Sequence, residues 1–319
     1  MTDELFTLDQ PMGLSAALAI YESQRPYMPQ PRGGQGNTAP NLRAILDKAD
    51  ALLLDGYGVL NVGADAVAGA SEMLQAAKMA GVAVLVLTNG ASKDTSVTAQ
   101  KYQALGLDIH PDHVVSSRDA MIEMITQNPH HISTLGVADS FTDAPVLAGI
   151  DMVSLSDADA DPWLSVDAIG LFGTVHWSEA WQANLEAAVA AGKPIYVANP
   201  DVTAPQTGAY SREPGFWVAK ACRKMDAAAM ACQVHWFGKP HAPVFDLALR
   251  RLATVTGRTD WDKSRIFMVG DTLHTDILGG NAMGLGTVLI KNHGLFRRGG
   301  AEDAIALSGI TPDYIVDTV

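Results

Sequence analysis

The sequence predicts an α/β fold in which a parallel-sheet core carries an inserted second α/β domain. Three observations predict it. Residues 50–55 and 82–90 ("VAVLVLTNG") are continuous apolar runs, too short for buried helices, with a helical stretch between them. The same strand–helix–strand grammar returns at 265–294. Between the two repeats lies a long segment with an α/β pattern of its own, and 319 residues suit two domains or one domain with a large insertion.

The elements follow in chain order. A short helix is expected over residues 13–23, followed by an irregular Pro/Gly-rich segment, 24–41, and a helix over 41–48. The first strand, 50–55, ends on Asp55. "DAVAGASEMLQAAKMAG" (65–81) has apolar positions at helical spacing and closes on Gly81, so it reads as a helix. In the middle, "HISTLGVA", "DAIGLFG" and "KPIYVANPD" read as strands and "SEAWQANLEAAVAAG" as a helix. "RIFMVGD" (265–271) is a strand, "HTDILGGNAMG" opens a helix, "GTVLIKNHG" is a strand and "DYIVDTV" an edge strand. The division expected is an N-terminal extension over 1–48, a core over 49–92 and 233–319, and an inserted domain over 93–232.

Composition narrows the function. The chain is 48% hydrophobic and 18% charged, an ordinary globular balance. With 22 basic and 35 acidic residues it carries −13. An acidic surface disfavours nucleic acid and anionic membranes as partners, though a pocket can be locally positive. Cys222 and Cys232, ten apart, form neither a metal motif nor a disulfide framework, so a cytoplasmic location is expected. The acidic N-terminus does not read as a signal peptide, and no apolar run approaches the length of a membrane span. A homodimer is the oligomer expected from symmetry alone.

In open α/β sheets, ligands bind beyond the carboxyl ends of the strands. Asp55, Thr88-Asn89 and Asp271 all stand at such ends. Singly, Asp55 reads as a turn cap, Asp276 as a helix cap and Lys239 as a solvated lysine. Together, three carboxylates on one rim repel, by about 4 kcal/mol per pair at 4 Å and an effective dielectric near 20. A divalent cation such as Mg²⁺ relieves that. Thr88, Asn89 and Gly90 make a strand-to-loop turn able to hold an oxyanion. A carboxylate nucleophile, a metal, a lysine and an anion-holding turn add up to phosphoryl transfer through an aspartyl-phosphate.

"DGYGVL" (55–60), "LTNGAS" (87–92), "GKP" (238–240) and "GDTLHTDI" (270–277) resemble, in order and spacing, the motifs of the haloacid dehalogenase (HAD) superfamily. The insert, with "YVANPD" and "PGFWVAKA", is similar to the class IIA cap of NagD-type phosphatases. The resemblance covers residues 50–319. It implies a HAD-like Rossmannoid parallel-sheet core, a C2-type α/β cap, Mg²⁺ as cofactor and a small phosphorylated metabolite as substrate. It also implies Asp55 as nucleophile. Asp55, Asp271 and the Tyr57 carbonyl would bind the metal, and Asp276 would orient a metal water or pair with Lys239. Thr88 and Asn89 would hold phosphoryl oxygens, and Lys239 would neutralise charge.

One position departs from the family. Its phosphatases place an acid/base Asp two residues after the nucleophile, where this chain has Tyr57. Losing a general acid/base costs about 10²–10⁴ in rate. His274, His235 and His241 are candidate substitutes, although each taken singly reads as structural. A tyrosine there also resembles the 2-haloacid dehalogenases, whose halide leaves unprotonated; the metal acids and the place of the insert count against that reading. A binding or regulatory protein that lost turnover is a third reading. In the insert, Asn199 and Asp201 could read substrate hydroxyls, and His176 and Trp177 could face the pocket.

Overall fold

Ala51–Leu54, every residue of it buried, is the strand around which the main sheet is organised. In the computed structural model, described for residues 3–8, 11–127, 132–139, 145, 147–155, 158–206 and 209–319, that sheet has seven parallel strands. Their order is Asn37–Asn41, Tyr314–Thr318, Gly286–Ile290, Ile266–Gly270, Ala51–Leu54, Ala83–Thr88 and Val114–Ser116. Alternate side chains leave opposite faces of a strand. Leu53, Leu85 and Leu87 therefore pack with Val244, Phe245 and Ala248 of the helix Ala242–Thr256. Leu52, Leu54 and Val86 pack with Ala70, Met73 and Ala77 of the helix Ala70–Met79. Both faces are covered, which is why these strands read as unbroken apolar runs.

The second sheet is also parallel, in the order Val234–Trp236, Ile195–Val197, Ala168–Leu171, Thr134–Val137 and Asp151–Ser154. The two sheets divide the chain differently from the expected boundaries. Val114–Ser116 extends the main sheet, so the core continues beyond residue 92. Val234–Trp236 belongs to the second sheet, so the insert runs past 232. The unit after residue 92 repeats the apolar grammar of the core, and sequence pattern alone does not say which sheet it joins.

The N-terminal segment is no loose extension. Asn37–Asn41 pairs with Tyr314–Thr318, which moves that expected edge strand one place inward. The helix Leu14–Ser23 reaches both sheets' surroundings. Its Leu18 packs with Leu273, Ile277 and Leu278 of the core, while its Ile20 and Tyr21 pack with Val202, Phe216 and Trp217 of the insert. Residues 42–48 form a 3-10 helix, and the helix expected over 65–81 is confined to Ala70–Met79 behind a short hairpin. His131, the first residue of the expected strand "HISTLGVA", lies outside the described residues. No helix among the described residues is long and apolar enough to cross a membrane.

Candidate active site

Lys239 is the hub of the rim. It is 1% exposed, and its Nζ donates to Asp55 Oδ1 at 2.6 Å and to Asp276 Oδ1 at 2.7 Å. Burial opposes the charge of the ammonium, but Asp276, Asp55 and Asp201 outweigh it and hold Lys239 protonated. Parallel pairing brings these groups together: Ala51–Leu54 and Ile266–Gly270 run side by side, and the Asp55 N–H donates to the Val269 carbonyl at 2.9 Å.

Asp55, Asp271 and Asp276 each offer an oxygen within 4.8 Å of the others. Asp276 lies in a π-helical turn, Leu273–Ile277, of a kind found at functional sites. Its two oxygens are committed to Lys239 and to the Thr272 N–H, at 3.1 Å. Asp271 accepts from Thr272 Oγ1 at 2.9 Å and from the Leu295 N–H at 2.7 Å. Burial, then Asp276 and Asp55, push Asp271 up to about 8, and burial pushes Asp276 up to about 6. Three carboxyls crowd together and Lys239 bonds only Asp55 and Asp276, so a hard divalent cation would let all of them ionise. The donor set fits Mg²⁺, with Asp55 and Asp271, both on the cavity wall and neither tied to Lys239 through both oxygens, as the candidate ligands and Asp276 behind them on Lys239.

A cavity of about 210 Å³ opens over this cluster between the two sheets. Asp55, Tyr57, Thr88, Asn89, Gly90, Asp271, Asn199 and Asp201 all line it, so eight of the residues named from the sequence meet there. Thr88 Oγ1 accepts from the Gly90 N–H at 3.0 Å, which leaves its own proton for a ligand. Asn89 is a correction. Its amide donates to Asp201 Oδ1 (2.8 Å) and to the Lys239 carbonyl (3.0 Å), and its Oδ1 accepts the Lys239 N–H (2.7 Å). It positions Lys239 and Asp201; its side chain has no donor left for a phosphoryl oxygen. Asn199 accepts from the Asp201 N–H at 2.9 Å and donates to Glu213 at 3.2 Å.

The histidines are further corrections. His176 is 82% exposed and pairs with Asp139 at 2.9 Å, while Val175 beside it lines the cavity. Trp177 packs with Trp163, Trp181 and Trp217 instead. His235 stacks on Tyr196 and His241 on Trp236, and neither lines the cavity. His274 is fully buried against Tyr21 and Glu22. Tyr57 is half-buried with Lys101 Nζ 4.3 Å from its ring centroid. Burial, then Glu213 and Asp55, raise its phenol above the ordinary value, so it is a poor base near neutrality. Sequence reasoning missed Glu213, Thr174, Thr203, Gln206, Thr272 and Thr275, which also line the cavity. Glu213 directly precedes Pro214 and carries no local signal.

Family models decide the assignment. The model for haloacid dehalogenase-like hydrolases matches residues 52–148, and a HAD-hydrolase-like model matches 236–319, together more than half of the chain. The chain is a haloacid dehalogenase-like hydrolase. Among relatives of this HAD hydrolase is the acid sugar phosphatase of Staphylococcus aureus (strain MRSA252), 26% identical over 242 residues, covering 76% of this chain and 86% of that one. A structure described as a possible sugar phosphatase of the HAD superfamily, from Cytophaga hutchinsonii, is 26% identical with a TM-score of 0.70. It covers 90% of this chain and 98% of that one. A glycerol phosphate phosphatase from Mycobacterium tuberculosis shares the fold, at 23% identity and a TM-score of 0.64, over 85% of this chain and 76% of that one. The inserted sheet of this HAD hydrolase is thus the NagD-type cap, and the main sheet the HAD-like Rossmannoid core.

Proposed function

We propose that this hydrolase is a Mg²⁺-dependent phosphomonoester phosphatase that acts on a small sugar or polyol phosphate through an aspartyl-phosphate on Asp55. The observation that carries the reading is Asp55 itself. It lines the cavity with one oxygen held by buried Lys239, and it stands beside Asp271. One Asp55 oxygen is anchored and the other is free to attack phosphorus in line.

The P–O bond to the substrate alcohol breaks as the Asp55–phosphorus bond forms. Water then attacks phosphorus, the bond to Asp55 breaks, and inorganic phosphate leaves. Thr88 donates to a phosphoryl oxygen, and Lys239 offsets the charge that gathers on Asp55. Asp55, Asp271 and the Tyr57 carbonyl would hold the metal, which would neutralise the phosphoryl oxygens when bound. Asp276 keeps Lys239 aimed.

The lining supports the substrate class. It contains Asp55, Asp201, Glu213 and Asp271 but no Lys, Arg or His among the described residues. Such a surface repels a second anionic group and suits hydroxyls, as do Thr174, Thr203 and Gln206. The cavity is smaller than the roughly 300–1,000 Å³ of drug-sized pockets, which favours a compact metabolite. The relatives named acid sugar phosphatases support the same class. A halide displacement would have no use for the carboxylate cluster.

Phosphate release from a panel of sugar and polyol phosphates with Mg²⁺ tests the reading. Turnover is expected in the parent and its loss in Asp55→Asn with the fold retained. Mg²⁺ should raise the melting temperature of the parent but not of Asp271→Asn. Full activity in Asp55→Asn would end the covalent route, and a persisting metal shift would end the metal assignment. Binding of sugar phosphates without any turnover would favour a regulatory role.

A further inference from the structure

An alkoxide leaves phosphorus slowly unless it is protonated, and the groups considered so far do not supply the proton. Tyr57 stays protonated near neutrality, so it does not serve as the base for the attacking water and cannot complete the acid/base cycle. None of His176, His235, His241 or His274 lines the cavity. The remaining candidates are the carboxyl groups on its wall. Asp55 is the nucleophile and Asp271 belongs to the cation cluster. Asp201 is bonded to the Asn89 amide, which also holds the Lys239 main chain, so it belongs to the positioning of that lysine. Glu213 is left.

Resting on the phosphatase reading, we propose that Glu213 is the proton-transfer residue of this site, a carboxyl group that the cap delivers to the cavity in place of the one absent at position 57. Glu213 is the N-cap residue of the helix Pro214–Cys222, yet its side chain makes no capping bond. Pro214 lacks the N–H at the first helical position, and the carboxyl turns instead to Ser211 and Asn199. There it lines the same cavity as Asp55 and Tyr57. The groups that share its surroundings are Asp55, Tyr57, Asp201 and Asp271, with Arg212 next in the chain lying over the Phe216 ring.

The carboxyl is positioned by its cap neighbours. The Ser211 hydroxyl receives the Ala204 N–H and faces two acceptors, the Ala204 carbonyl at 3.2 Å and Glu213 Oε1 at 2.5 Å. A hydroxyl has one proton to give. The Ala204 carbonyl already accepts the Ser211 N–H at 3.1 Å, so the Ser211 hydroxyl is free to donate to Glu213 Oε1 and to hold that carboxyl in place. Burial raises the Glu213 carboxyl above its ordinary value, against the opposing pull of the Ser211 hydroxyl, which favours a group able to hold and release a proton.

The chemistry balances. As Asp55 bonds to phosphorus and the ester P–O bond breaks, Glu213 passes its proton to the departing alkoxide. As water attacks the aspartyl-phosphate, Glu213 takes a proton from that water, and the bond from phosphorus to Asp55 breaks. The acid is restored and no co-reactant is needed.

The test compares parent and Glu213→Gln on glycerol 1-phosphate and on p-nitrophenyl phosphate, whose leaving group hardly needs a proton. The expected result is a loss of kcat on the order of 10²–10⁴ for the alkyl ester and a much smaller one for the aryl ester. Adding Tyr57→Asp to Glu213→Gln should restore the alkyl ester. Equal losses on both esters, or no loss, would overturn the role. Should Glu213→Gln not fold, the parent alone decides. A shallow dependence of kcat/KM on leaving-group pKa across aryl phosphates supports the proposal, and a steep one overturns it. A parent that releases phosphate from no ester would overturn the phosphatase reading and the Glu213 role with it, a result distinct from equal losses on a working parent.

Discussion

His274 Nε2 lies 2.6 Å from Glu22 Oε1, and this contact fastens the helix Leu14–Ser23 to the turn that carries Asp276. The neighbouring Tyr21 ring stacks on His274, with centroids 5.0 Å apart and planes 8° apart. The Tyr21 hydroxyl accepts the Val202 N–H of the cap at 3.1 Å. One helix thus ties core to cap through adjacent residues, and the cap cannot swing away from the rim without breaking one of these bonds.

Removing either tie should cost stability. Glu22→Ala leaves a fully buried imidazole nitrogen without its partner, and Tyr21→Phe leaves the buried Val202 N–H without its acceptor. Each should destabilise the protein by about 1–3 kcal/mol. Glu22 belongs at the low end, because its side chain is about one-third exposed and water can partly replace it. The Tyr21 and His274 rings are in contact, so the double variant should depart from additivity. Urea unfolding checks the losses. Amide exchange at Val202 should quicken in Tyr21→Phe; unchanged exchange there would mean that the N-terminal helix does not hold the cap.

Asp271 is held from behind by backbone with no room to spare. A methyl group at Gly294 would fall 1.7 Å from Asp271 Oδ2, and one at Gly58, where φ is +78°, would fall 2.6 Å from the same carboxyl. Gly294→Ala should therefore push Asp271 out of place and break the 2.7 Å bond from the Leu295 N–H. An overpacking cost of about 1–3 kcal/mol is expected, together with a large fall in the stabilisation that Mg²⁺ confers. Gly13→Ala is the control, because nothing lies within 4 Å of its added methyl. Its effect should stay within about 0.5 kcal/mol. Equal metal-induced melting shifts in the parent and Gly294→Ala would show that Asp271 does not hold the ion.

The residues that were legible from the sequence are those whose position follows from local pattern. Asp55, Thr88 and Asp271 end apolar runs, and parallel strands deliver their ends to one rim. What stayed hidden depends on partners far away in the chain. Asn89 was read as an oxyanion holder because its contacts to Asp201 and Lys239 span more than a hundred residues. Asn37–Asn41 has the composition of a loop. It is a strand only because Tyr314–Thr318 offers an edge, and Pro40 is tolerated at the outside of the sheet, where it skips the register. The cap boundary failed for a related reason: strands of both sheets are short, apolar and parallel. Glu213 carries no local signal in the sequence, and only tertiary structure turns it toward the cavity.

His241 makes stability fall as the solution is acidified. It precedes the helix Ala242–Thr256 without a side-chain capping bond, and its ring stacks on Trp236, with centroids 5.6 Å apart. Burial pulls its pKa down to about 4, and the positive end of the helix works in the same direction. The unfolded chain protonates the imidazole near its ordinary value of about 6.5, whereas the native protein resists until about pH 4. Stability from this group is therefore fully present above pH 6.5 and is lost as pH falls toward 4, because the unfolded state binds the extra proton. The loss should be about 1–3 kcal/mol, reduced from the full shift because the ring is partly exposed. His241→Gln should flatten the stability profile across that window while leaving the steeper loss below it to the carboxylates. One of those is Asp50, which Arg265 and Arg258 hold below the usual carboxylate range. Urea unfolding of parent and variant at half-unit steps between pH 4 and 7 measures the difference. Parallel profiles would mean that His241 is protonated as readily in the native protein as in the unfolded chain.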